Sequence, residues 1–152
     1  MQFDPMQYMD METTEEAKKR PPLPVRDYPA IISDLVVKPW ANDEGKSGMQ
    51  ALVTLDVEVP LEVQEAIGYK PKDNTMRFTD RPFIDINEGG AIDWSPGANR
   101  RLRQYRVAAD MNKAGESFSL RRLVGRPVLV KITHEMYQGE TQERIGGVAP
   151  RG

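Results

Sequence analysis

From Ala51 to Val59 every second residue is aliphatic, namely Ala51, Val53, Leu55, Val57 and Val59, while Gln50, Leu52, Thr54, Asp56 and Glu58 fill the places between. A side-chain period of two belongs to a strand with one buried face; a helix would scatter these residues around its circumference. The chain is thereby committed to a sheet with a packed side and a wet side. The same period predicts a first strand over residues 24–37, with Tyr28, Ala30 and Ile32 on one face, Ile31, Leu35 and Val37 mostly on the other, and a bend or bulge near Asp34. A third strand is predicted over residues 75–86. Its inner face would carry Met76, Phe78, Ile84 and Ile86 and its outer face Arg77, Thr79, Arg81 and Phe83, with Pro82 marking an edge or bulge because it has no N–H to give a ladder. Residues 126–135, with Val128, Val130 and Ile132 inward, predict a fourth strand, and residues 141–148 a weaker fifth after the Gly139 turn.

The connections are read from breakers and caps. Residues 39–48 form a turn-rich loop that carries Trp40 and Lys46, and residues 61–68 suit a short helix. Ser95-Pro96 predicts a longer helix, with Ser95 as N-cap, Pro96 in the first helical position and Ala98, Leu102, Tyr105 and Ala109 along one apolar stripe. Three strands, a helix and two strands match a mainly β, five-stranded OB-like barrel with one helix between strands 3 and 4. A non-barrel α+β sandwich shares that element order. Residues 1–22 lack a sustained period and end in Pro21-Pro22, so they are expected to be a flexible N-terminal arm, leaving 23–152 as a single OB-like domain. Phe3, Met6, Tyr8, Met9 and Met11 make that arm apolar enough to dock on a partner or a second copy.

Composition removes several function classes. The chain has 152 residues, no cysteine and one histidine, His134, so thiol nucleophiles, Cys-ligated zinc, disulfide frameworks and multi-histidine metal sites are excluded. About 130 residues beyond the arm exceed the roughly 70–80 below which a single core needs staples. No apolar run approaches the ~18 residues that span a bilayer, so a cytoplasmic protein without a membrane segment is expected. The net charge of −2 conceals segregation: residues 40–93 hold eleven acids against five bases, and residues 94–126 hold eight bases against two acids. A basic stretch on an acidic chain suits a polyanion or an acidic partner.

Catalysis has little to work with. His134 sits on a predicted strand beside Glu135 with no nucleophile elbow, neither a phosphate loop nor a dinucleotide fingerprint occurs, and Asp80, Asp85, Glu88 and Asp93 have no specific metal-ligand spacing. The expectation is a non-enzyme with no metal and no cofactor. Single-strand binders need cations for the backbone and aromatic rings for the bases. Trp40, Lys46, Arg77, Arg81 and Phe83, with Lys131 and Tyr137 on the fourth strand and its following loop, supply both around the cleft of an OB barrel. Asp56, Glu58, Asp80 and Asp85 near the same region would repel phosphates. Arg100, Arg101, Arg103 and Arg106 on the predicted helix form a second basic surface.

The stretch Leu23-Pro24-Val25-Arg26-Asp27-Tyr28, the Lys46-Ser47-Gly48-Met49 turn, Arg101-Leu102-Arg103, and Leu123-Val124-Gly125-Arg126 followed by Val128-Leu129-Val130-Lys131-Ile132 resemble small proteins of tailed bacteriophages encoded among replication and recombination genes. Some of these are single-stranded DNA-binding proteins with OB folds. The resemblance, over residues 23–148, implies a single-stranded DNA-binding protein of the host-cell cytoplasm that coats displaced strands. It departs from the bacterial pattern, which ends in an acidic tail with a hydrophobic tip; here the acidic, apolar-spotted segment is N-terminal. The alternative is a phage interaction protein, a virion component or a regulator of a host enzyme, docking through the arm and the basic helix. Homo-oligomerisation stays open.

Overall fold

A computed structural model describes residues 2–152 and is mainly β. Its strands are β1 (Arg26–Ala41), β2 (Ser47–Glu58), β3 (Thr75–Asp80), β4 (Phe83–Ile84), β5 (Pro127–Tyr137) and β6 (Glu140–Ala149), and its helices α1 (Pro5–Asp10), α2 (Leu61–Ile67) and α3 (Arg100–Ala108). All strand pairs are antiparallel, in the order β3-β2-β1-β5-β6, with β4 also on β2. β1 holds this order together because it pairs on both sides. Residues 26–31 lie against β5 and residues 30–41 against β2, and the register slips between Ile32 and Asp34, at the bend the sequence predicts.

Alternation decides which face is inside. Tyr28, Ala30 and Ile32, Ala51, Val53, Leu55 and Val57, and Val128, Val130 and Ile132 are fully buried and meet Leu102 and Tyr105 of α3 and Leu123 in one core. The predicted inner face of strand three ends sooner than expected. Ile86 is exposed, because the chain leaves the sheet after Ile84 and Ile86 makes only an isolated bridge to Ile92.

Three other boundaries differ from the sequence reading. The predicted third strand is two strands, since Arg81-Pro82 steps out of the ladder; Gln50 Nε2 donates to Arg81 O at 2.9 Å and Ala51 N to Pro82 O at 2.9 Å, so the step stays fastened to β2. The loop predicted over 39–48 shrinks to a turn. β1 runs through Pro39 and Trp40, and Asn42 Oδ1 accepts from Glu44 N and Lys46 N at 3.0 Å each, which closes the turn without a longer loop. The helix predicted from Ser95 begins at Arg100. Ser95-Pro96-Gly97-Ala98 is a β-turn, with Ala98 N donating to Ser95 O at 3.0 Å and Gly97 at φ +87°. Proline second and a positive-φ glycine third are type II turn chemistry, which outcompeted the helix start.

No backbone ladder joins β3 to β6, so the sheet is not closed. Side chains bracket the opening instead. At one end Tyr105 donates from its hydroxyl to Asp80 Oδ2 at 2.7 Å, Arg101 Nη2 donates to Ile145 O at 3.0 Å, and Gln104 Oε1 accepts from Val148 N at 3.1 Å. Burial, reinforced by the Asp80 carboxylate, pushes the Tyr105 phenol far above its ordinary pKa, so it remains a donor. At the other end Glu143 accepts from Arg20 Nη2 at 2.7 Å and from Leu23 N at 2.8 Å, while the Arg20 guanidinium lies 5.7 Å from the Phe78 ring centre. His134 Nε2 donates to Leu23 O at 2.6 Å, which gives the only histidine a fastening role. Further out, α1 starts with Asp4 accepting from Met6 N at 3.1 Å and Pro5 in the first position, and none of its residues is buried.

Asn99 is the buried polar residue that fixes α3. Its Oδ1 accepts from Asp85 N at 2.8 Å, its Nδ2 donates to Asp85 O at 2.9 Å and Asp93 O at 2.7 Å, and its own N–H donates to Asp85 Oδ2 at 2.7 Å. Its φ of +49° is one that asparagine tolerates better than most residues. Asn99→Ala removes all three side-chain bonds and leaves their backbone partners unpaired, a loss of about 2–4 kcal/mol. Urea unfolding should show the unfolding free energy falling by that amount, through a lower midpoint at unchanged slope; an unfolding free energy within about 0.5 kcal/mol of the parent would contradict this role for the amide.

Candidate nucleic-acid interface

The outer face of the β1–β2 hairpin, continued by β4 and β3, carries the sequence-predicted aromatics. Register sets the rows across it: Trp40 opposite Gly48, then Lys38–Gln50–Phe83, Val36–Leu52, Asp34–Thr54–Thr79, and Asp56–Arg77. Trp40 and Phe83 meet edge to face, with ring centres 5.1 Å apart and planes at 61°. This is a favourable quadrupolar arrangement that leaves one ring free to be covered. Phe83 is 57% exposed. Gly48 makes the arrangement possible, because a Cβ there would lie 2.9 Å from Trp40 Nε1.

Exposed cations occupy positions near this pair along the strands and the turn. Lys46 is exposed in the turn that joins β1 to β2, and Arg81 is exposed at the β3–β4 step beside Phe83. Lys38, which the sequence reading passed over by ending its first strand early, stands on the same outer face as Trp40, opposite Gln50. Arg77 lies on that face but is spoken for, with its Nε 3.3 Å from Asp56 Oδ1 directly across the ladder. Lys131 and Tyr137 are on the other wing of the sheet. Lys131 pairs with Asp27, thirteen residues of β1 before Trp40, roughly 40 Å of strand contour, and Tyr137 ends β5 at the β5–β6 turn rather than lying in a loop.

The acids expected to repel phosphates are each occupied. Asp56 pairs with Arg77; Glu58 accepts from Arg151 Nη2 at 2.9 and 2.8 Å; Asp80 accepts from Tyr105; and Asp85 accepts from the Asn99 amide. Asp93 accepts from Ser95 N at 2.9 Å, and the Ser95 hydroxyl and amide hold its carboxyl below the ordinary aspartate value. Asp80, Asp85 and Asp93 are thus spread over separate tasks, and no group of three ligand-type side chains gathers for a metal among the described residues. Among the same residues, no helix is long and apolar enough to cross a membrane.

The second basic surface is smaller than the sequence suggests. Arg106 lies between two rings, 4.6 Å from the Trp94 centre and 4.2 Å from Phe118, and donates to Met111 O; burial lowers its pKa, though a guanidinium stays charged. Arg101 faces inward between Asp80, 3.8 Å away, and Ile145 O. Only Arg100 and Arg103 of the four remain exposed. Helical spacing alone could not separate them, because both inward arginines flank the apolar stripe, beside Leu102 and Tyr105.

Beside the aromatic face, the opening between β3 and β6 forms a groove of about 440 Å³ lined by Phe78, Asp80, Arg81, Arg101, Glu143 and Arg144. Its cations and carboxylates alternate, and Arg81 stands where groove and face meet.

Gly48→Ala should displace the Trp40 ring without unfolding the chain. In a W94F background, where Trp40 is the sole tryptophan, emission should shift and the near-ultraviolet circular dichroism of the Trp40–Phe83 pair should fall; an unchanged spectrum would show that the ring does not rest on Gly48. No protein-family model and no curated protein matches this chain.

Proposed function

We propose that the protein is a non-enzymatic single-stranded DNA-binding protein and that the outer face ending in Trp40 and Phe83 is its binding surface. The carrying observation is the meeting of those two rings on an exposed face, with Lys38, Lys46 and Arg81 around them. Base stacking on aromatic rings contributes roughly 1–3 kcal/mol per base and tolerates any sequence, while flanking cations hold the backbone. Intramolecular partners for Asp56, Glu58, Asp80 and Asp85 lower the repulsion that the composition of this region would otherwise impose. The strand order β3-β2-β1-β5-β6, with α3 between β4 and β5, supports reading the fold as an OB-like barrel, an architecture that is often partly open and binds oligonucleotides on the face of its second and third strands. The resemblance to tailed-phage proteins supports a setting in replication or recombination.

Titration with oligo-dT tests this. Affinity should fall steeply as salt rises, and Trp40 fluorescence should be quenched. The W40A/F83A double variant should weaken binding by about 2–4 kcal/mol. R81E with K38E should weaken binding and reduce the salt slope by a little under one unit for each phosphate left without its cation, whereas R100E with R103E should change neither much. Full affinity in W40A/F83A, or weakening only in the helix variant, overturns the assignment.

A second reading, a protein-interaction role for the arm, is favoured by one observation: Phe3, Met6, Tyr8, Met9 and Met11 of the α1 segment are all at least half exposed. Because Arg20 and Leu23 fasten to Glu143, the informative truncation removes residues 2–18 and leaves the clip intact. Under the DNA-binding reading this variant binds oligo-dT at least as tightly as the full chain; abolished binding would move the site to the arm.

A further inference from the structure

β1 has a long free edge. Its first part is paired with β5 only through Ile31, and Ile32 is held by the 125–126 segment, with Ile32 N donating to Arg126 O and Gly125 N to Ile32 O. From Asp34 to Ala41 the strand has β2 on one side and, among the described residues, no strand on the other. Backbone parity tells which groups face that edge. Asn42 N donates to Lys46 O to close the hairpin, so the even residues 34–40 address β2, and Leu35, Val37 and Pro39 point their backbone groups outward. Two details agree with this. Ala51, opposite Val37, donates away from β1 to Pro82 O, and Leu35 N finds only its neighbour Asp34 Oδ1, at 2.9 Å. Pro39 is tolerated inside β1 because the N–H it lacks would face this open edge.

Each face of the edge carries an exposed aliphatic side chain. Val36 is 45% exposed on the outer face and Val37 is 44% exposed on the inner one. A free, apolar edge invites a further strand, and the sequence here fits its own reverse. Placing a two-fold axis through Val36 sets Asp34 opposite Lys38 of the second copy and Lys38 opposite its Asp34, on one face, and Leu35 opposite Val37 in both directions on the other. It also matches outward-facing residue to outward-facing residue, so Leu35 and Val37 exchange four N–H···O bonds across the axis. A slip of one residue would break that parity, and a slip of two would set Asp34 against Trp40 in one direction or Val36 in the other, forfeiting both ion pairs either way. Beyond this core Pro39 would face Ser33 of the second copy with no N–H to give, so the ladder ends there, at the bulge.

We propose that two copies of this chain associate through the β1 edges, antiparallel about Val36, to form one continuous sheet across the dimer. The occupant is a second copy because the charges on the strand complement their own two-fold image; a foreign strand would have no reason to meet such a pattern. The pairing sets two Trp40–Phe83 pairs on one continuous outer face, although it does not depend on what that face binds.

The chain has no cysteine, so a single V36C variant carries one thiol. Val36 meets its own image in a non-hydrogen-bonded pair, where side chains are close enough for a disulfide. Mild oxidation of V36C should give a covalent dimer that retains the parent circular dichroism, while T79C on the same outer face, away from the edge, should not. Sedimentation equilibrium of the parent should show dimer at micromolar concentration. V37P, which removes one edge N–H per copy and no intrachain bond, should raise the dissociation constant about tenfold or more. K38D should dissociate the dimer by facing Asp34 with a like charge, and D34K with K38D should restore it. A monomeric parent at about 100 μM, a dimer indifferent to V37P, or crosslinking of V36C no faster than T79C overturns the proposal. So does dissociation by K38D that the swapped pair fails to rescue, since that denies the register. The readout is independent of oligonucleotide, so failure of the DNA-binding reading would leave it standing.

Discussion

The opening between β3 and β6 is the constraint around which this molecule is arranged. A sheet curled this far buries an aliphatic concave face but leaves two edges looking at each other without a ladder. Ladder bonds are replaced by side chains that reach across: Tyr105 and Arg101 from α3 to Asp80 and Ile145, and Arg20 from the N-terminal segment between Phe78 and Glu143. The bonds made by Tyr105, Arg101 and Arg20 are charge-assisted, and charge-assisted bonds are stronger than neutral ones. The partners are also shielded, since Arg20 and Glu143 keep only 32% and 12% of their side-chain surface exposed, so this pair is screened less than those at the rim.

That solution explains where the charge of the chain goes. The sequence gathers arginines in residues 94–126 and acids in 40–93, and folding brings the two regions together across the opening. Two of the four arginines of α3 are thereby consumed in construction: Arg101 in the gap and Arg106 between Trp94 and Phe118. The same neutralisation consumes acids near the aromatic face. Around Trp40 and Phe83 this leaves Lys38, Lys46 and Arg81 without a carboxylate partner among the described residues, and their charge beside the rings is the chemical basis for the DNA-binding reading.

β1 links the two ends of the molecule. Its N-terminal half belongs to the fastened region, beside β5 and under the Leu23 strap, and its C-terminal half projects as a hairpin arm with one partner. The bulge between these halves lets a single strand serve two neighbours, and it also leaves the projecting half with an unmatched edge. Rigidity and availability are thus distributed along one element rather than between domains.

The sequence alone determined the sheet, its inner face and the bulge, because the period of two over Tyr28–Ala30–Ile32 and Ala51 to Val59 admits no other regular structure and a one-residue slip would turn every aliphatic to water. It also nominated Trp40 and Phe83, through residue type and local alternation. Tertiary structure decided what depends on distant partners. The turn-rich composition of residues 39–48 puts the end of the predicted first strand at Val37, yet β1 runs on through Pro39 because, among the described residues, no neighbour on that side needs the N–H it lacks. Ser95-Pro96 suits a helix start as well as a turn, and the choice fell to the turn because Asn99 finds Asp85 and Asp93 and fixes the helix one turn later. Lys131 and Tyr137 were separated from Trp40 by the pairing of β5 with the opposite half of β1, a matter of topology that spacing along the chain does not encode. The fates of Arg77 and Arg101 were likewise set across more than twenty residues of chain, and that of Arg106 across twelve, by whichever carboxylate, carbonyl or ring the folded sheet brought within reach.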